Sequence, residues 1–114
     1  MLTVEDFIKS GYKKFNTNGL KSSDFGLQKR IDDAKGQKYY ITVWVYDYSG
    51  YEHYQDENKY RFMPDVQFTM LNESRRITLN MHVDENDTVE DIESFYDLLW
   101  KRLKCDYYEK WTEV

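Results

Sequence analysis

Few side chains in this chain could act on a substrate. There are two histidines, His53 and His82, one cysteine, Cys105, and a dense run of carboxylates, Asp84-Glu-Asn-Asp-Thr-Val-Glu-Asp-Ile-Glu93. A histidine serving as general base needs a carboxylate to orient it and a nucleophile within hydrogen-bond reach. A small enzyme or ligand-binding centre around His82 is therefore one alternative, yet no Ser or Cys stands at a spacing that would serve it. One cysteine permits neither an intrachain disulfide nor a thiolate zinc site. The chain has no glycine-rich phosphate loop and no metal-ligand spacing, so no cofactor or metal is expected. An EF-hand loop starting at Asp84 would need Gly sixth and Glu twelfth; those positions hold Val89 and Phe95. The run reads as a solvated helix start. A sharper reading makes Asp84, Glu85, Asp87, Glu90 and Asp91 an acidic patch that docks on a basic protein or imitates DNA phosphates.

Residues 39 to 48, Tyr-Tyr-Ile-Thr-Val-Trp-Val-Tyr-Asp-Tyr, offer a different chemistry. Side chains on a strand alternate between faces. Ile41, Val43 and Val45 form an ordinary core face. Tyr40, Thr42, Trp44, Tyr46 and Tyr48 take the opposite face, where Tyr40, Trp44, Tyr46 and Tyr48 form a row of amphipathic rings. Four such rings on a sheet present roughly 300–500 Å², about the largest patch an ordinary monomer exposes. Three occupants fit: the chain's own aromatic tail or tyrosine-rich loop, a protein partner or second copy, or stacked nucleic-acid bases. Stacking requires flanking Lys or Arg, and strand parity supplies only Arg30 and Arg76.

The elements that position these residues follow from periodicity. Val4, Phe7, Ile8, Tyr12 and Phe15 predict a helix over 3–15, capped by Thr3 and stopped by Asn16-Thr-Asn-Gly19. Phe25, Leu27 and Ile31 share one strand face, with Lys29 as an exception. Asp33-Ala-Lys-Gly36 reads as a hairpin turn. The aromatic strand follows. Lys59 to Met63 pairs back with it until Pro64 interrupts. Val66, Phe68 and Met70 are the inward set of the next strand, and Ile77, Leu79, Met81 and Val83 of the last. A second helix runs from Thr88 to Lys104, with Ile92, Phe95, Tyr96, Leu99 and Leu103 as its stripe. Its acids lie at the start and its bases at the end, as the helix dipole favours.

The expected fold is α+β in the order α-β-β-β-β-α: a four-stranded antiparallel sheet with both helices on one face, in a single domain over residues 1–114. The outer face would carry Gln28, Arg30, Tyr40, Thr42, Trp44, Tyr46, Tyr48, Gln67, Thr69, Thr78, Asn80 and His82. The order and the absence of a Lys/Arg-Gly-Phe/Tyr signature exclude an RNA-recognition motif.

Charge narrows the partners. The chain of 114 residues has a net charge of −5, and residues 84–98 hold seven acids and no base. An acidic chain is a poor default nucleic-acid binder. The start lacks a signal-peptide pattern, no apolar run approaches the ~18 residues of a membrane span, and cysteine is scarce, so a cytoplasmic location without membrane contact is expected. In composition the chain resembles the small, acidic, Tyr-rich accessory proteins of phages and mobile elements. That resemblance implies a non-enzymatic interaction module that inhibits a host protein. A homodimer and a single-stranded nucleic-acid-binding module are the other partner classes.

Overall fold

The computed structural model describes residues 2–15, 24–33, 36–47, 60–70, 76–84 and 86–106. The helix stop at 16–19, the middle of the 33–36 turn, Tyr48, His53, Glu85 and the aromatic tail from Tyr107 lie outside the described residues. The elements run α1 (Val4–Lys9), β1 (Lys13–Phe15), β2 (Phe25–Asp33), β3 (Gly36–Asp47), β4 (Tyr60–Met70), β5 (Arg76–Asn80), α2 (Val89–Arg102) and β6 (Cys105–Asp106). The class is α+β: two helices and an antiparallel sheet in the order β1-β2-β3-β4-β5, with β6 added to β4.

Five meander strands replace the expected four, because the first helix is short. Thr3 caps α1 in a reciprocal box: its Oγ1 accepts from Asp6 N–H at 3.2 Å, and Asp6 Oδ2 accepts from Thr3 N–H at 2.8 Å. After Ser10 the backbone enters positive φ at Gly11 (+98°), a conformation that ends a helix with little strain only at glycine. Lys13–Phe15 then pairs with Gln28–Gly26 as an edge strand. Tyr12 is buried beside Phe7, their rings 5.2 Å apart, although the two no longer share a helix.

Pro64 does not interrupt β4. Its carbonyl accepts from Met81 N–H at 3.3 Å. A strand residue's N and C=O point the same way, so the missing N–H falls on the β5 side, where that ladder has ended. The ladder to β3 is intact, with Val43 opposite Pro64. β5 stops at Asn80, short of the expected alternation, but Met81 and Val83 still pack against the core. β6 pairs Cys105 with Met70 and Asp106 with Thr69. The β5 side of Thr69 is taken by Arg76, so β6 occupies the β3 side, which β3 leaves after Val66.

The core lies between the sheet and the helices. Phe7 of α1 packs against Phe62, with centroids 5.3 Å apart. Tyr96 and Trp100 of α2 pack against Phe68, and Trp100 also meets Tyr39. Tyr39, Ile41, Val43, Val45, Val66 and Phe68 are buried, as alternation requires. The stripe of α2 follows the expected one at Ile92, Tyr96, Leu99 and Leu103 and departs from it at Phe95. Ile92 and Tyr96 are buried and Trp100 joins the core, whereas Phe95 is exposed. The Tyr96 hydroxyl donates to the Leu79 carbonyl at 3.0 Å.

Two lysines tether α2. Lys29, the polar residue on the core face of β2, reaches Glu93 at 2.7 Å. Lys38 is the extra residue of a bulge: Tyr39 pairs with Ile31 and Gln37 with Asp32. Strict alternation would put Lys38 opposite Tyr39 in direction. The bulge re-aims it to Asp97 of α2, at 3.0 Å.

Candidate functional site

Register arranges the outer face in rows across the strands. One row is Phe15, Gly26, Trp44 and Met63; a second is Lys13, Gln28, Thr42, Asp65 and Asn80. Tyr46 sits opposite Arg61, and Arg30 opposite Tyr40. Gln67 faces Thr78, and Thr69 faces Arg76. Tyr40, Trp44 and Tyr46 are each partly exposed, so three of the four predicted rings stand on one face as expected. His82 lies beyond the end of β5.

Several members of this face, among them Lys13, Phe15, Arg61, Met63 and Asp65, do not follow from periodicity alone. Apolar periodicity extends the first helix through Lys13 and Phe15, and the Ser10-Gly11 pair is the signal that separates them from it. Arg61, Met63 and Asp65 fall into register once Lys59–Met63 and Val66–Met70 are read as one strand through Pro64. The Phe15 ring lies on the backbone of Gly26: a Cβ there would sit 2.4 Å from Phe15 Cζ. Only a glycine leaves room for this ring, which meets Trp44 edge-on at 5.7 Å. The middle ring of the aromatic row is thus partly covered by the chain itself.

The electrostatics of the face differ from those of the chain. Its strand residues include Lys13, Arg30, Arg61 and Arg76, against Asp32 and Asp65. Asp32 pairs with Arg30 at 2.7 Å. Asp65 stands in the middle of the face with Oδ1 buried and without a hydrogen-bond partner. Burial raises its pKa, opposed by a bond from the Val66 backbone. Beside β1, β2 and β3 lies a cleft of about 460 Å³ whose lining includes Lys13, Phe15, Gln28, Arg30 and Tyr40; Lys14 also borders it, but it lies opposite Leu27 with its Nζ 4.1 Å from the centre of the Phe25 ring, on the core side.

The acidic helix start is differently built. Thr88 and Asp91 form a second capping box, with bonds of 3.2 and 2.9 Å. Asp87 Oδ2 accepts from Asp84 N–H at 2.8 Å, closing the turn before it. Glu93 and Asp97 turn toward Lys29, Lys38 and Lys101. Lys101, then Lys38, holds the Asp97 carboxyl below the usual range. Of the predicted patch, Asp84, Glu90 and Asp91 are exposed, while Asp87 and Asp91 serve the turn and the cap.

His82 Nε2 lies 3.3 Å from Asp84 Oδ1, and both side chains are largely exposed. An orienting carboxylate is present, but the pair is open to water. The described serines, Ser10 and Ser94, lie at the end of α1 and within α2, and Cys105 lies in β6. Burial pushes the Cys105 thiol up, away from the thiolate a nucleophile needs. Among the described residues no three His, Cys, Asp or Glu side chains converge as a metal site, and no described helix is long and apolar enough to cross a membrane. Comparison with protein-family models, curated proteins and solved structures returns no match.

Proposed function

We propose that this chain is a non-enzymatic binding module, acting in the cytoplasm as a single domain, whose working surface is the outer sheet face. The observation that carries this is the row Tyr40, Trp44 and Tyr46, partly exposed, with Lys13 and Arg30 at one side and Arg61 opposite Tyr46. Rings with adjacent arginine are the side chains that anchor macromolecular interfaces. The contacts of Phe7 with Phe62 and of Tyr96 with Phe68 support placing both helices on the other face, which leaves this one to a partner. The acidic helix start contributes less, because its carboxylates already serve the turn and cap.

The test is capture of partners from the native host with the wild-type chain, Tyr46→Ala, and the pair Asp84→Asn/Glu90→Gln. Urea midpoints would establish that each variant is folded. Capture lost in Tyr46→Ala and kept in the acidic-patch variant is expected. The reverse pattern would move the working surface to the helix start.

A further inference from the structure

We infer that the outer face binds single-stranded nucleic acid, with bases laid on Tyr40, Trp44 and Tyr46 and the backbone running along its basic rim. This deepens the proposal above and rests on it. Three observations converge.

The first is spacing. Alternate residues on a strand are ~6.8 Å apart, so Trp44 and Tyr46 are neighbours at about that distance and Tyr40 lies ~14 Å beyond Trp44. The row presents about three stacking positions over roughly 20 Å. Every base has a π-face, so such a platform tolerates sequence. A duplex keeps its bases stacked inside and offers none to these rings.

The second is charge. The chain is acidic overall, yet bases collect on this face, and Lys13 and Arg30 line the cleft that opens beside Tyr40. That cleft suits a phosphate next to a stacked base. Arg61 stands at the opposite end, across from Tyr46. The Asp65 carboxylate in the middle of the face disfavours phosphate there. It therefore keeps the phosphate backbone toward the rim.

The third is the row Lys13, Gln28, Thr42, Asp65 and Asn80, which separates Tyr40 from Trp44 with polar groups. The core of a protein–protein interface is a continuous apolar patch depleted of charge. A polar row between rings suits alternating base planes and base edges instead.

The test is fluorescence anisotropy of a labelled single-stranded oligonucleotide of about 12 nucleotides, at about 50 and 200 mM salt, with the same sequence as a duplex in parallel. Neutralising about three phosphates predicts a slope near −2 in log K against log salt, so affinity falls about 20-fold over that range. Lys13→Gln should flatten the slope by about 0.7. Tyr40→Leu and Trp44→Leu should each weaken binding by about 5- to 150-fold with unchanged urea midpoints. No binding up to about 100 µM protein at the lower salt, tighter binding to duplex, or binding indifferent to Tyr40→Leu and Trp44→Leu would overturn the inference. If oligonucleotides fail while nuclease-resistant capture from the host still depends on Tyr46, nucleic acid is rejected and the face keeps its role with a protein. If capture is indifferent to Tyr46 as well, both proposals fall.

Discussion

The pair Lys29–Glu93 permits the most quantitative test of how this fold is held together. Lys29 lies on the core face of β2, opposite Ile41, where the alternation calls for an apolar residue. It is retained because Glu93 of α2 meets it at 2.7 Å, with the Tyr12 hydroxyl donating to the same Oε1 at 3.3 Å. At an effective dielectric constant of about 20, the bare attraction is roughly 6 kcal/mol. Desolvation of both ions offsets most of it. A charged hydrogen bond nets about 1.5–3 kcal/mol. The two side chains retain 28% and 24% exposure, so solvent screening brings the coupling to about 1–2 kcal/mol. Lys29→Met should cost about 2 kcal/mol, because it strands a partly buried carboxylate with Tyr12 as its remaining donor. Glu93→Leu should cost about 1 kcal/mol, since the flexible Lys29 stem can carry its charge toward water. The double variant should cost no more than about 1 kcal/mol, as an apolar pair replaces an ionic one. Urea unfolding followed by circular dichroism at neutral pH measures all four corners of this cycle. Strictly additive single effects would show that the pair does not couple the sheet to α2 and would refute the reasoning.

Other perturbations follow from the same structure. Gly26→Val should destabilise by about 1–2 kcal/mol, because its Cβ displaces the Phe15 ring and the edge contact with Trp44; added to Phe15→Ala it should cost almost nothing more, which urea midpoints would reveal. Thr88→Ala removes one half of the α2 capping box and should cost about 1 kcal/mol by the same measurement. Asp97 has a folded pKa below its unfolded value, so its contribution is present above the unfolded carboxylate range and is lost as pH falls through the lower folded value. Asp97→Asn should therefore lose less stability than the wild type over that acid window. Asp65 has the opposite sign: its pKa is raised in the fold, so ionisation at neutral pH opposes folding. Asp65→Asn should unfold at higher urea than wild type at pH near 7, and the difference should shrink below the unfolded carboxylate pKa, where Asp65 is protonated in both states.

The sequence by itself determined the α+β class, the helix cap at Thr3, the choice of Asp87 or Thr88 as the second cap, and the partition of β3 into a core face and an aromatic face. Each rests on information local to a few residues: a side-chain oxygen three positions before its backbone donor, or the two-residue period of a strand. It also isolated Lys29 as the odd residue of its face, without its partner. What only the tertiary structure decided depends on contacts between distant segments. Six helical residues suffice for α1 because Phe7 and Tyr12 are both buried in the core on either side of Gly11. That frees Lys13–Phe15 to pair with β2. Pro64 stays inside β4 because its missing donor falls beyond the β5 ladder, a matter of which neighbour lies on which side. The bulge at Lys38 is set by the reach to Asp97, 59 residues away. These same long-range pairings bring Lys13, Arg61 and Asp65 to the rings of β3, because a flat sheet collects onto one face residues that the chain keeps tens of positions apart.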